Sequence, residues 1–179
     1  MSLADIKKAA DKMVEEMGTN PVTGEKPVEV TTGPKGVTIG ISSDISFKSG
    51  SASLKPEIVE VLDKIVPTIE NSYFDVAVEG HTDNDPFPKS FQSKYPSNWE
   101  LSSARASAVV RQLINMNVNP IRLQAVGYAE YIPRDRPTDK VIDNELIAEL
   151  NLNGELKSRN RRVEITFLAY SKWRKDYLH

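Results

Sequence analysis

Two side chains of opposite charge, one after a strand and one in the following helix, could together bind a zwitterion. Asp83 ends the sequence Gly-His-Thr-Asp, which follows an alternation of apolar and polar residues typical of a strand. Arg105 lies two turns into a helix predicted to start at the capping-box sequence Ser-Asn-Trp-Glu (97–100). A ligand that carries an ammonium and a carboxylate group could bridge Asp83 and Arg105. The spacing therefore outlines a binding site.

The same stretch offers little for metal binding. His81 is a potential ligand, but the only other histidine is His179 and the chain contains no cysteine. We therefore predict that His81 is a hydrogen-bonded structural histidine, and we predict no metal site and no cofactor.

Catalysis is also not indicated. Ser102 and Ser103 lack a plausible histidine partner for nucleophilic chemistry. Asp83 and Asp85 could suggest glycoside hydrolysis, but two carboxylates two residues apart in a loop fix no separation. We predict a protein that is not an enzyme and has no catalytic residue.

The composition is that of a globular domain. The chain has 179 residues, of which 39% are hydrophobic and 27% are charged, and its net charge is −2. This length allows one medium domain with an appendage. Without a basic stripe, binding to nucleic acid or to an anionic membrane is not expected. The sequence contains no run long enough to be a membrane span and no signal peptide at its start.

Periodicity predicts the elements that position the two charged residues. We expect an amphipathic helix over 2–17 that packs on the domain or on a second copy, the alternative being contact with a membrane or channel, and a linker up to residue 27. Residues 28–169 form the domain and 170–179 a tail that extends as a short basic helix. Within the domain, strands are predicted at 28–30, 37–41, 74–80, 121–128 and 161–167, and helices at 54–69, 98–117 and 144–150. This order gives an α/β (α+β) two-layer sandwich with helices on one face of a mixed sheet.

Three motifs in a fixed order carry a family resemblance. Gly-His-Thr-Asp (80–83), Ser-Asn-Trp-Glu-Leu-Ser-Ser-Ala-Arg-Ala (97–106) and Asn-Arg-Arg-Val-Glu-Ile (160–165) resemble the OmpA-like peptidoglycan-binding domain, with its β-α-β-α-β fold, over roughly residues 37–167. The form Asn-Trp-Glu-Leu-Ser and the insert at 84–96 are more similar to the flagellar stator branch, the MotB proteins, than to the outer-membrane members. The aromatic residues of this insert form either a lid on the domain or a surface for a partner.

The resemblance implies roles for five residues. Asp83 would face the ammonium group of diaminopimelate in the peptidoglycan stem peptide, and Arg105 would bind its carboxylate. Asn98 matches a position that hydrogen-bonds the ligand, although it also suits a helix start. Leu101 lines the groove or belongs to the core. Arg161 lies near the site or forms a surface ion pair.

The resemblance also implies an assembly. We expect a periplasmic, non-catalytic module that anchors a flagellar stator to peptidoglycan, forms a homodimer and joins a MotA-like membrane subunit through an inner-membrane helix preceding Met1. The N-terminal helix and linker could regulate wall binding. The alternatives are a wall-anchoring domain of an outer-membrane protein or lipoprotein, a wall-cleaving enzyme, and an interaction domain whose groove no longer binds the wall.

Overall fold

A mixed five-stranded sheet is the framework of the structure. The computed structural model describes residues 1–170 except 20, 22, 23, 25 and 88. The strands lie in the order β1-β2-β5-β3-β4, and only the β3–β4 pair is parallel. Their bounds are β1 Val28–Gly33, β2 Gly36–Ser42, β3 Val76–His81, β4 Leu123–Gly127 and β5 Arg162–Leu168. The predicted fold class is confirmed.

In the described part of the chain, five α-helices accompany the sheet. They are α1 Leu3–Met17, α2 Pro56–Glu70, α3 Asn98–Asn115, α4 Asn144–Glu149 and α5 Gly154–Asn160. Helix α3 begins where the sequence predicts, because the Ser97 hydroxyl accepts a hydrogen bond from the Trp99 N–H at 3.2 Å. None of these helices is long and apolar enough to span a membrane.

The hydrophobic core lies between α1, α2, α3 and one face of the sheet. From β5, Val163, Ile165 and Phe167 point into this core and are fully buried, as the period of two along a strand requires. Helix α1 contributes Ile6, which is also fully buried. Of the two packings considered for the N-terminal helix, the structure has the one on its own domain.

The opposite face of the sheet is buried too. Arg162 alternates onto this face and is only 1% exposed, because the segment that follows β4 crosses it. Arg162 Nη2 donates a hydrogen bond to the backbone oxygen of Ile132 at 3.0 Å. The helix predicted at 144–150 is confirmed as α4, whereas α5, with Asn153 as its N-cap, was not predicted.

Periodicity places Ala125 on the inward face of its strand and Ile114 on the buried face of its helix, and both of these predictions are wrong. Ala125 is exposed rather than inward, because β4 is an edge strand and not a core strand. Ile114, predicted on the buried face of α3, is 37% exposed near the end of that helix. The helix predicted in the tail lies outside the described residues.

Candidate ligand-binding site

Asp83 is held in a short loop at the end of β3. The preceding residue ties this loop to the chain after β4, since the Thr82 N–H donates to the Ala129 oxygen at 2.9 Å. Asp83 Oδ1 accepts a hydrogen bond from the Asp85 N–H at 2.9 Å. One carboxylate oxygen therefore caps its own loop, and Oδ2 points away from that turn.

Arg161 connects this carboxylate to a second one. Its Nη1 donates to Asp83 Oδ2 at 2.7 Å, and its Nε and Nη2 donate to the two oxygens of Asp44 at 3.1 and 3.3 Å. Burial alone would lower the pKa of Arg161, but the hydrogen bonds and charges of Asp44 and Asp83 outweigh it and the pKa is raised. Arg161, at the end of α5, thus forms the expected ion pair, and it does so inside the candidate site.

Arg105 is the second cation of the site and, unlike Arg161, it is buried and pairs with no described carboxylate. It is 5% exposed, its Nε donates to the Ser51 backbone oxygen at 2.9 Å, and its guanidinium carbon lies 4.9 Å from the centre of the Phe47 ring. Within the part of the chain that is described, no carboxylate lies within ion-pair distance of it. Burial lowers the pKa of Arg105 to about 10, so it stays charged at neutral pH.

A buried cation without a paired anion is costly, because the charge has left water and gained no counterion contact. The charges of Asp44 and Asp83 act on Arg105 and favour its protonated form. The two cations and two carboxylates sum to zero charge. Such a site is suited to a ligand that is itself zwitterionic, whose carboxylate would supply the contact that Arg105 lacks.

Asn98 links the loop to the helix. Its Nδ2 donates to the backbone oxygen of Asp85 at 3.0 Å and to Glu130 Oε2 at 2.7 Å, and lies 3.4 Å from the backbone oxygen of Asp83. This buried amide therefore fixes the loop that carries Asp83 to the first turn of α3. Glu130 was not identified from the sequence.

Leu101 and the insert form a small cluster of their own. Leu101 is 5% exposed and packs with Phe87 and Tyr95, whose rings meet edge to face at 5.8 Å. Of the two roles considered for the insert aromatics, these two act as a lid on α3. The side chain of Phe91 lies outside the described residues.

A pocket of about 350 Å³ adjoins this loop. It is lined by polar and apolar residues of the insert, the start of α3 and the segment after β4, and the polar ones include Asn84, Gln92, Asn98 and Glu130. The ring of Tyr131, one of the lining residues, stacks on the ring of Trp99 at 5.3 Å, and both rings remain nearly half exposed. Neither aromatic residue was singled out by the sequence analysis, because an aromatic in a polar segment carries no signal of its partner.

The neighbouring hydroxyl has a structural role. Ser102 Oγ donates to the Trp99 backbone oxygen at 3.1 Å and accepts from the Ala129 N–H at 3.0 Å. It is fully buried between α3 and β4 and engaged on both sides. It is therefore not placed to act as a nucleophile.

His81 does not behave as expected. It is 1% exposed and stacks on Tyr128 with ring centres 5.4 Å apart, but neither of its ring nitrogens makes a hydrogen bond with a described residue. The expectation of a hydrogen-bonded histidine is wrong. The side chain lies on the sheet face opposite the hydrophobic core, next to Glu79 and Glu164.

Fold and site together define a small α+β ligand-binding domain, whose candidate site is built around the loop that follows the central strand β3. The model of the OmpA family matches residues 46–145, more than half of the chain. The chain therefore belongs to the OmpA family, as its three motifs predict.

Comparison with known proteins gives three informative relatives. Motility protein B of Bacillus subtilis is 29% identical over 168 residues, which are 93% of this chain and 56% of that protein. The peptidoglycan-associated lipoprotein of Pseudomonas aeruginosa is 31% identical over 119 residues, 66% of this chain and 58% of that protein. The solved cell wall anchor of the T6SS of the same species has a TM-score of 0.67 at 28% identity, covering 92% of this chain and 97% of the other. The chain spans little more than half the length of the two curated relatives.

Proposed function

We propose that this protein is a non-catalytic peptidoglycan-binding domain that holds the diaminopimelate of the stem peptide between Asp83 and Arg105. The observation that carries the proposal is the buried Arg105 guanidinium, which has no carboxylate partner within the described residues. The side-chain end of diaminopimelate carries an ammonium and a carboxylate, the two groups that Asp83 and Arg105 bind best.

The remaining predicted residues have supporting parts in this proposal. Asn98 holds the Asp83 loop in register with α3. Arg161 keeps the Asp83 carboxylate oriented, because its Nη1 donates a hydrogen bond to Asp83 Oδ2. Leu101, beneath the lid aromatics, forms part of the groove wall.

The larger assembly is proposed to be a flagellar stator. The alignment with a motility protein B covers 93% of the chain, and therefore extends beyond the family core. A stator must be tied to a rigid body in order to exert force on a rotor, and the cell wall is such a body. The proposal includes a periplasmic location, a homodimer, and a MotA-like membrane subunit reached through an inner-membrane helix.

A second candidate is a wall anchor of another envelope assembly. It is favoured by the similarity to the T6SS anchor and to the lipoprotein. Both candidates use the same groove and differ only in what is anchored.

The deciding experiment is co-sedimentation with purified diaminopimelate-type sacculi. We expect wild type to pellet, and Asp83→Asn and Arg105→Met to bind roughly ten to a hundred times more weakly, since each loses a charge-assisted contact of about 1.5–3 kcal/mol. The matched controls are Asp85→Asn, whose side chain is 59% exposed, and Arg111→Met, which changes an exposed arginine of α3. Both should bind as wild type does.

Sacculi that carry lysine in place of diaminopimelate test the role of Arg105 separately, because lysine lacks the second carboxylate. Wild type should bind them weakly, and Arg105→Met should cause little further loss. Muropeptides released during the incubation would point to a wall-cleaving enzyme. A wild-type protein that stays in the supernatant with both sacculi would refute the proposal.

A further inference from the structure

A cluster of three potential metal ligands lies on the sheet face opposite the hydrophobic core. Glu79 of β3 is paired directly with Glu164 of β5, and His81 follows two residues after Glu79. Because side chains alternate along a strand, the three point to the same face. One donor atom from each lies within 4.8 Å of the others. The two glutamates were not identified from the sequence, because they are not histidine or cysteine residues and Glu164 is distant from His81 along the chain.

Two carboxylates directly opposite each other on paired strands repel. Here they are also largely buried, with Glu79 6% exposed and the Glu164 side chain 22% exposed. Each has one oxygen bound by a cation: Arg162 Nε donates to Glu164 Oε1 at 2.9 Å, and Lys35 Nζ to Glu79 Oε1 at 3.3 Å. This arrangement leaves Oε2 of both glutamates directed at the third member of the cluster.

His81 Nε2 is that third member. It lies 3.5 Å from Oε2 of Glu79 and 3.5 Å from Oε2 of Glu164. A charge-assisted N–H···O hydrogen bond would close to about 2.7–2.9 Å. By contrast, two ligands of a tetrahedral metal ion with bonds of about 2.0–2.1 Å lie roughly 3.3–3.4 Å apart. The two distances from Nε2 are therefore closer to the edge of a coordination tetrahedron than to the length of such a hydrogen bond.

The burial of His81 adds a second, independent observation. The ring is 1% exposed and neither nitrogen has a hydrogen bond within the described residues, which is unusual for a buried polar group. Stacking on Tyr128 keeps Nε2 directed toward the two carboxylates. Arg162 supplies the outer hydrogen bond that commonly orients a ligating carboxylate.

We propose that Glu79, His81 and Glu164 bind one divalent transition-metal ion of the zinc type, with water in the fourth position. Imidazole and carboxylate together suit such an ion, and two glutamates balance its charge. Lys35, whose side chain is 64% exposed, can leave its carboxylate for solvent when the ion enters. The ion joins β3 to β5 next to the loop that carries Asp83, and this role does not depend on the proposed wall binding.

The test uses zinc chloride with chelator-treated protein. We expect one Zn²⁺ per chain by calorimetry and metal analysis, a rise in the temperature of unfolding that a chelator reverses, and movement of the His81 imidazole signals in nitrogen-correlated NMR spectra. Glu164→Gln and His81→Gln should each weaken binding at least tenfold. The chain has only one other histidine, so His179→Ala is the matched control and should bind as wild type does.

Binding that disappears in His179→Ala would overturn the proposal, as would Zn²⁺ uptake that leaves the His81 signals unchanged. Absence of uptake at micromolar Zn²⁺ would overturn it too. If His81→Gln fails to fold, two measurements still test the proposal. They are the His81 imidazole signals of the wild-type protein and Zn²⁺ binding by the isosteric variant Glu164→Gln.

Discussion

The Arg105 guanidinium lies over the Phe47 ring, with 4.9 Å between the guanidinium carbon and the ring centre. Phe47 is 2% exposed and follows β2, so an arginine of α3 is packed against a core aromatic instead of a carboxylate. The contact holds the cation in place without neutralising it. This combination is expected where a charge is kept for a ligand rather than for stability.

Replacing Arg105 with methionine should therefore separate stability from binding. Methionine is apolar and of similar length, so the substitution removes an uncompensated buried charge. We expect the free energy of unfolding to change little or to rise, by up to about 1–4 kcal/mol, while sacculus binding weakens roughly ten- to a hundredfold. Urea denaturation and co-sedimentation of the same samples measure both quantities, with Arg111→Met as the control. A large loss of stability would mean that Arg105 serves the fold.

The approach of α3 to β3 gives a second prediction. A Cβ atom on Gly80 would lie 2.1 Å from the backbone oxygen of Ser102, and its backbone conformation is not left-handed, so the constraint is purely steric. Gly80→Ala must push the helix away from the strand. We expect a destabilisation of about 1–3 kcal/mol or more, together with weaker wall binding because α3 carries Asn98 and Arg105.

Gly33→Ala is the matched control for that substitution. Gly33 ends β1, and a Cβ added there meets no atom within 4 Å. Thermal unfolding of the two variants should separate them clearly. Equal stability of Gly80→Ala and wild type would show that α3 can move away from β3 without lowering the free energy of unfolding.

The sequence predicted the site where its signals are local. Asp83 and Arg105 belong to a strand end and a helix start that carry their own periodicity and cap. No local periodicity or helix cap marked Asp44 as a residue of the site. It meets Arg161 across 117 positions of sequence, and this pairing depends on β5 lying between β2 and β3.

The burial of the sheet face opposite the hydrophobic core could not be predicted from the sequence either. Its residues Glu79, Glu164 and Arg162 look like the solvent side of an alternating strand, yet they are covered by the segment that follows β4. A polar segment of that kind has no hydrophobic period to reveal what it packs against. Only the tertiary structure shows that the alternation separates two buried faces.

Stability should fall in acid through specific carboxylates. The hydrogen bond from Arg159 is the main reason that the pKa of Asp135 is lowered. For Asp44, burial would raise the pKa, but the hydrogen bonds of Arg161 and Ser158 outweigh it and the pKa is lowered. Both groups bind a proton less readily when folded than when unfolded, where the pKa is about 3.9. Their contribution is therefore fully present above that value and is lost as the pH falls below it.

The measurement is the free energy of unfolding in urea between neutral pH and pH 3. We expect it to decrease as the pH falls below about 5, and to decrease less steeply in Asp135→Asn. Asp63→Asn, which changes an exposed aspartate of α2, should follow the wild-type curve. Parallel curves for Asp135→Asn and wild type would exclude the Asp135–Arg159 pair as a source of this dependence.

Trp99 offers an optical measure of ligand entry. Its ring is 48% exposed, stacks on Tyr131 and directly follows Asn98. A muropeptide in the adjoining pocket would displace water from the ring and shift its emission. In a Trp173→Phe background Trp99 is the only tryptophan, so a diaminopimelate muropeptide should change the emission in a saturable way. Calorimetric binding without any change in emission would place the ligand away from this pocket.

Helix α1 gives the last prediction, because its apolar face is used inside the domain. Ile6 is fully buried in the main core, and α1 contacts β1, β2 and α2. Ile6→Ala should cost about 2–5 kcal/mol of stability through lost contacts and a cavity, whereas the exposed Lys8→Ala should cost little. Deleting residues 1–27 should lower the temperature of unfolding and expose apolar surface that binds a hydrophobic dye.

This coupling bears on the proposal that α1 and the linker regulate wall binding. Because α1 is part of the core, it can move to regulate wall binding only if Ile6 becomes exposed. Any change in wall affinity caused by α1 must therefore come with a change in stability. If the deletion changes wall affinity as well as stability, α1 acts on the groove. If the deleted protein remains folded and binds sacculi with unchanged affinity, α1 is structural and the regulatory proposal fails.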